Sequence, residues 1–401
     1  MRLALGALGA LGIGGVCVVC WSSAQRWRRS NAASRRLQEL LAVVAGDDAR
    51  IVITGASSGI GQELARQLAK HPSVSLLLGN KGEVRSEQGR TRILPLDLLD
   101  FNSVERFARE AHTFLADGGS GLRLLVNNAA VKDPPQGCME VGISPTWQIN
   151  FLGPFLLTEL LSNRRETARI SRPLRVVNVA SGREHQSQLD EALLDALSTA
   201  APPSPNEYSD SKRALLLWTS VRAQSFAFRS HVFVHASNPG KVDTQLGLYW
   251  IPWWLWPLTK PVRILRFLSL AEGALSLVAA GLRPDATYKF GEYLGGEKLL
   301  EDLVVWRMPE KQLAQRLVRW AGLVTGLEPR CRGQPMPDRD AMSDQALSDH
   351  ALSDDGEDRW STPERRWRWK NQRSSSTPAM AGLASEHHQP PLERSRSGFM
   401  H

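Results

Sequence analysis

Thr54-Gly55-Ala56-Ser57-Ser58-Gly59-Ile60-Gly61 stands directly behind a short apolar run, residues 50–53, and in front of a stretch with helical periodicity, residues 59–71. That placement gives the glycines their meaning. Gly55 permits a tight turn, Gly59 lets the backbone approach a pyrophosphate, and Gly61 lets the helix pack closely on the strand. Phosphate oxygens would then sit at the positive end of the helix. Strand, glycine turn and helix in that order predict a dinucleotide site, with Thr54, Ser57, Ser58 and Ile60 completing the turn.

Outward from this turn, apolar runs alternate with helical patterns. Residues 50–53, 74–78, 91–94, 122–127, 174–179, 232–236 and 287–293 read as strands, and residues 59–71, 103–116, 145–163, 208–228 and 271–282 as the helices between them. A last amphipathic helix is expected at 312–327. Seven strands with intervening helices predict an α/β fold, a doubly wound parallel sheet of the Rossmann-like kind, over residues 49–328.

The ends differ from this middle. The 401-residue chain carries a net charge of +8, and its first 38 residues hold six Arg and no acidic side chain. Residues 3–21 are free of charge, long enough as a helix to cross nearly all of a ~30 Å hydrocarbon layer. Arg26, Arg28, Arg29, Arg35 and Arg36 follow, so a membrane anchor at 1–25, a basic linker at 26–48 and a cytoplasmic remainder, at the endoplasmic reticulum, are expected. Signal cleavage after Ser22-Ser23-Ala24, or a plastid or mitochondrial transit peptide, are the rival readings. No basic stripe suits a nucleic acid. Cys17 and Cys20 lie in the apolar run, and Cys138 and Cys331 stand apart, so neither a disulfide framework nor a metal site is expected. Residues 329–401 read as a disordered, low-complexity tail, with the repeats Ala341-Met342-Ser343-Asp344-Gln345, Ala346-Leu347-Ser348-Asp349-His350 and Ala351-Leu352-Ser353-Asp354-Asp355; a tail partner is left open.

Three further features carry chemistry. Tyr208-Ser209-Asp210-Ser211-Lys212 opens a helical stretch, and residues four apart share one helix face, so a phenol and an amine share a site. A phenol that titrates near ~10 becomes useful at neutral pH if Lys212 and a cationic ring lower it. Ser181 ends an apolar strand, where sheets of this architecture form their ligand crevice, and its hydroxyl can hold a substrate oxygen. At the end of the second strand, residues 78–81 contain Lys81 and no carboxylate, which favours NADP, with its 2′-phosphate, over NAD.

Taken in order, Thr54 to Gly61, Asn127-Asn128-Ala129, Asn150, Ser181, Tyr208 with Lys212, and Asn238-Pro239-Gly240 resemble the signature of the short-chain dehydrogenases/reductases, over roughly residues 48–300. The resemblance implies that Tyr208 donates or accepts the proton, Lys212 depresses its pKa and binds the nicotinamide ribose, Ser181 orients the substrate carbonyl, and Asn150 completes a proton relay through water. It also implies that Asp97 and Leu98 lie at the adenine, Asn128 and Ala129 beside the cofactor, and Pro239, Gly240 and Thr244 around the nicotinamide amide and phosphates. The run Ile149-Asn150-Phe151-Leu152-Gly153-Pro154-Phe155-Leu156-Leu157-Thr158 is similar to the retinol-dehydrogenase-like branch, which implies an apolar substrate, retinoid-, steroid- or lipid-like. Ala130 and the end of the second strand depart from the branch pattern. Tyr249-Trp250-Ile251-Pro252-Trp253-Trp254-Leu255-Trp256 falls where the family covers its substrate, and four Trp there suit an interfacial setting. The expected activity is hydride transfer between a nicotinamide cofactor and a carbonyl or alcohol. A catalytically silent dinucleotide-binding scaffold and a carbon–carbon double-bond reductase on the same fold are the alternatives.

Overall fold

Apolar runs become the strands β1 (Ala49–Thr54), β2 (Val74–Asn80), β3 (Ser86–Gln88), β4 (Thr91–Pro95), β5 (Arg123–Asn127), β6 (Leu174–Val179), β7 (Val232–Asn238), β8 (Glu292–Gly295) and β9 (Lys298–Asp302). The helices are α1 (Arg2–Val44), α2 (Gly59–Leu68), α3 (Phe101–Ala116), α4 (Gly153–Leu161), α5 (Glu191–Ser198), α6 (Glu207–Ala227), α7 (Trp256–Arg266), α8 (Leu270–Leu282) and α9 (Met308–Thr325). The computed structural model describes residues 2–82, 86–117, 121–132, 143–162, 172–198, 204–227, 232–244, 256–282, 292–295, 298–302 and 308–327. Contacts divide the chain into Met1–Ser348 and Asp349–His401, and the described residues all fall in the first unit. The Trp-rich run 249–255 and the whole expected tail, 329–401, lie outside the described residues.

All nine described strands form one sheet, in the order β3-β4-β2-β1-β5-β6-β7-β8-β9. The seven from β4 to β8 are parallel, as the alternation of strands and helices predicts. The chain winds outward from β1 to β2 and β4, then returns across β1 to begin the other half at β5. The strand order therefore reverses between β1 and β5, and a crevice opens beyond their carboxyl ends. Two short antiparallel edge strands, β3 and β9, escape the sequence reading. They carry no apolar run of useful length, and pairing with a neighbouring strand makes them strands at all.

Period-two alternation sorts the core into two layers. Ile51 and Ile53 of β1 face a cluster with Leu64 of α2 and Leu277 of α8. Val52 faces the opposite way, into a cluster with Phe107 of α3 and Leu156 of α4. A third cluster joins Phe151, Phe155, Trp218 and Trp320, with Phe155 and Trp218 edge to face at 5.5 Å.

The expected linker at 26–48 is corrected by the structure. It is the second half of α1, and Leu37, Leu40, Leu41 and Ala45 are buried in the same cluster as Ile51 and Leu277. Their spacing of three and four residues forms an apolar stripe, overlooked beside the arginines, and it docks α1 on α8. The folded domain thus starts well before residue 49. Among the described residues no helix is long and apolar enough to cross a membrane, and the side chains of residues 2–19 are not among them.

Residues 145–161 form one unbroken helical run, as the expected helix 145–163 requires, but its middle, Gln148–Leu152, is a π-helical stretch between Pro145–Trp147 and α4. The π-helical stretch carries Asn150, and such bulges recur at functional sites.

Candidate active site

The glycine turn works by shape. Gly55 has φ +67° and Gly59 φ +58°, conformations that favour glycine. A Cβ on Gly55 would stand 2.7 Å from the Ala129 Cα, and one on Gly61 would collide with the Asn128 amide and the Gly55 carbonyl. A Cβ on Gly59 meets only the Thr244 methyl, at 3.8 Å, so this position leaves space at the amino end of α2. Ser58 caps α2 without a side-chain hydrogen bond, and Ser57 and Ser58 are exposed. Free amides, two uncommitted hydroxyls and an open glycine fit a pyrophosphate. Ile60, half-buried beside this turn, packs against the core beneath α2.

Thr54 and Asn128 brace the turn from below. The Thr54 hydroxyl accepts the amides of Asn128 and Ala129, both at 3.1 Å. The Asn128 side chain donates to the carbonyls of Thr54 (2.9 Å) and Gly55 (3.0 Å). Every polar atom of Thr54 and Asn128 named here is committed to backbone, so both shape the site.

At the end of β2 the expected Lys81 is not free. Its ammonium lies 3.7 Å from the Asp97 carboxylate, both side chains well exposed. Asp97 also accepts the Leu99 amide at 3.0 Å. The Leu98 side chain turns inward, packing on Gly153 in the core, so only its backbone borders the crevice. The buried Asn80 side-chain oxygen, at the same strand end, has no hydrogen-bond partner. An unpartnered acceptor beside the crevice fits a ribose hydroxyl.

Across the crevice, Tyr208, Lys212 and Ser181 converge as the spacing predicts. The Tyr208 phenol lies close enough to the Ser181 side chain for the serine to oppose the rise of its pKa. The Lys212 ammonium, 2% exposed, lies 6.0 Å from the Tyr208 ring centre and donates to the Val179 carbonyl at 2.7 Å. Burial pushes the Tyr208 phenol up, and Ser181 and nearby Arg183 only partly oppose it. Burial likewise pushes Lys212 down, to about 7. The expected depression of the phenol by Lys212 is therefore absent from the protein alone: no bond joins the amine to the phenol oxygen, and desolvation dominates.

Asn150 is placed close by, with its side chain engaged by the protein. Its side-chain oxygen accepts the Val131 amide at 2.8 Å, and its nitrogen donates to the Val131 carbonyl (2.9 Å) and the Ser211 hydroxyl (3.1 Å). It pins the chain after Asn128-Ala129 against the catalytic helix. On the far side, Gly240, with φ +76°, donates its amide to the Asn238 side-chain oxygen at 2.9 Å, following Pro239 and leading to Thr244.

Sequence reasoning missed a buried polar ladder under the site. Asn127 donates to Thr158 (2.9 Å) and Asn178 (2.8 Å), and Asn178 donates to Thr219 (2.9 Å), tying β5, α4, β6 and α6 together. It missed Asp210 too, fully buried two residues after Tyr208. Asp210 accepts Ser187 (2.9 Å), Gln188 (2.7 Å) and Ser204 (3.0 Å), binding the start of α6 to the chain after Ser181. Nothing in the spacing marks these partners; only the position of Asp210 inside the Tyr208–Lys212 motif hinted at a role.

The profile of the short chain dehydrogenase family matches residues 49–193. The polyprenol dehydrogenase of Mus musculus is 35% identical over 282 residues, 67% of this chain and 81% of that protein. The retinol dehydrogenase 12 of Mus musculus is 31% identical over 285 residues, 67% of this chain and 83% of the relative. The dehydrogenase/reductase SDR family member 13 of Homo sapiens is 28% identical over 312 residues, covering 75% of this chain and 79% of the relative.

Proposed function

The chain belongs to the short chain dehydrogenase family, in the retinol-dehydrogenase-like branch, and on that premise we propose that it reduces the carbonyl of an apolar, lipid-like molecule, or oxidises the corresponding alcohol. It is an NAD(P)-dependent enzyme of the alcohol–carbonyl type. The observation that carries the proposal is the convergence of Ser181, at the carboxyl end of β6, with Tyr208 and with the buried Lys212 amine, 6.0 Å from the Tyr208 ring centre and bonded to the Val179 carbonyl.

When bound, the nicotinamide supplies or takes up the hydride. The protein handles the proton. A substrate oxygen placed between Ser181 and Tyr208 receives a hydrogen bond from the serine and the proton from the phenol. Burial keeps the Tyr208 phenol protonated in the free protein, so it can give its proton to the developing alkoxide in the reductive direction and must take one up in the reverse. Lys212, balanced near 7, is poised to gain charge when a negative oxygen forms nearby. Asn150 fixes Val131 and Ser211, and in this reading it completes the proton relay through water.

NADP is the preferred cofactor in this reading and NAD the alternative. Lys81, exposed at the end of β2 beside Asp97, supports the NADP reading, while the Asn80 oxygen, an acceptor, suits a ribose hydroxyl of either cofactor. The apolar substrate rests on the polyprenol and retinol relatives and on a surface suited to lipid. Trp21 and Trp27 of α1 and Val262 and Leu265 of α7 are at least half exposed, and neither the first 38 residues nor α7 contains an acidic side chain.

The test is a screen of lipid aldehydes and ketones with NADPH and NADH, on membranes carrying the intact chain and its Tyr208→Phe variant. Turnover should fall about a thousandfold in the variant while cofactor binding stays near wild type. Turnover retained by Tyr208→Phe would refute the assignment.

A further inference from the structure

Asp243 immediately precedes Thr244, whose methyl stands over the open face of Gly59. Its carboxylate, only 15% exposed, receives two guanidinium groups from distant parts of the chain. Arg26 of α1 reaches it at 2.9 Å and Arg263 of α7 at 2.6 Å, and both are about four-fifths covered. Two buried-side cations on one carboxylate form charge-assisted bonds that solvent screens poorly.

Arg26 does more than pair. It also donates to the carbonyls of Leu268 (3.4 Å) and Arg263 (3.5 Å). The same Leu268 carbonyl accepts the Asp243 amide at 3.1 Å, and the Leu268 amide donates to Lys241 at 2.8 Å. Val242 bridges Leu268 in parallel fashion. Residues 241–244 are thus laid along residue 268, and Arg26 holds the carboxylate and the carbonyl of this ladder from outside. A path of bonds runs from α1 through Arg26 to Asp243, whose neighbour Thr244 stands over the open side of Gly59, with its methyl 3.8 Å from where a Cβ on that glycine would be.

We propose that Asp243 is a positioning residue, clamped by Arg26 and Arg263, and that through it the amino-terminal helix sets the affinity of the site for the phosphate portion of the nicotinamide cofactor. This rests on the cofactor reading given above. It makes α1 part of the catalytic unit as well as a structural element, because without Arg26 one of the two cations holding the carboxylate is gone and Thr244 loses its fixed distance to the glycine turn.

The test uses the full chain and titrates NADPH by fluorescence, with steady-state kinetics and thermal unfolding measured alongside. Arg26→Gln should weaken NADPH binding about fivefold to tenfold and raise its KM alike, with kcat at saturation within about twofold. Arg26→Lys should restore most of the affinity. Arg29→Gln is the control: it breaks a second tie of α1, the 3.2 Å pair of Arg29 with Glu272, without touching Asp243, and should leave NADPH affinity unchanged. Unchanged affinity in Arg26→Gln, or an equal loss in Arg29→Gln, overturns the proposal while the cofactor reading stands. A wild-type chain that binds neither NADPH nor NADH sinks that reading and this inference with it.

Discussion

On the β1 side of the crevice, the glycine turn is held by close fit as well as by the Thr54 and Asn128 bonds: Gly61 against the Asn128 side-chain amide and the Gly55 carbonyl, and Gly55 against Ala129, leave no room for one methyl group. On the β6 side, Ser181, Tyr208 and Lys212 are held by side-chain hydrogen bonds, through the ladder Asn127, Thr158, Asn178 and Thr219 and through Asp210. The first wall tolerates no added volume and the second no lost partner. The reason lies in their tasks. A phosphate is gripped by amides, so the chain itself must come close. A proton is moved by a side chain, so the side chain needs an exact bearing and a dry setting.

Three substitutions sharpen that contrast, beginning with the largest effect. Gly61→Ala should cost about 2–3 kcal/mol of stability and abolish measurable NADPH binding, because the new methyl has only fixed backbone and the braced Asn128 amide to displace. Urea unfolding and a binding titration read both; a wild-type-like variant would show that the turn has slack. Asn178→Ala should cost about 2 kcal/mol and lower kcat more than it raises the KM for NADPH, since it strips the ladder beneath the catalytic wall alone. An equal effect on both parameters would mean that the two walls are not separable.

The smallest loss of stability is expected of Lys212→Met, which should be inactive yet no less stable than wild type at pH 7. The sign follows from the burial that lowers Lys212 from 10.5 to about 7. The unfolded chain binds this proton throughout the interval between those values while the folded chain does not, so wild-type stability rises with pH there. The deficit of the wild type relative to the variant is therefore full below about 7 and fades toward 10.5. Melting temperatures of both proteins from pH 6 to 10 check it, and a constant gap would show that the ammonium is not desolvated.

The glycine turn and the Tyr208–Lys212 pair were readable because each is local: the turn spans eight residues and the pair one helical turn, and local spacing dictates geometry. The parallel strands β1, β2, β5, β6 and β7 were readable because buried strands are written as continuous apolar runs, whereas of the last expected strand, 287–293, residues 287–291 lie outside the described residues and β8 begins at Glu292. The edge strands β3 and β9 were not, since an edge needs no such run. Lys81 was rightly placed at the end of β2, but its partner Asp97 comes from β4, and no spacing reports which strand ends lie side by side.

The amino-terminal helix draws the same line. Composition alone marked an apolar run followed by arginines, and from it a membrane flank was a sound expectation. That Arg26 bonds to Asp243, 217 residues later, and that Leu37 and Leu41 belong to the core, only the folded chain decides. Sequence by itself determined the order of strands and helices, the phosphate turn and the pairing of phenol with amine, because neighbours along the chain fix these. Tertiary structure decided the protonation bias of Tyr208 and Lys212, the partners of Asn150 and the reach of α1 into the site, because burial and distant charges act through space and leave no periodic trace.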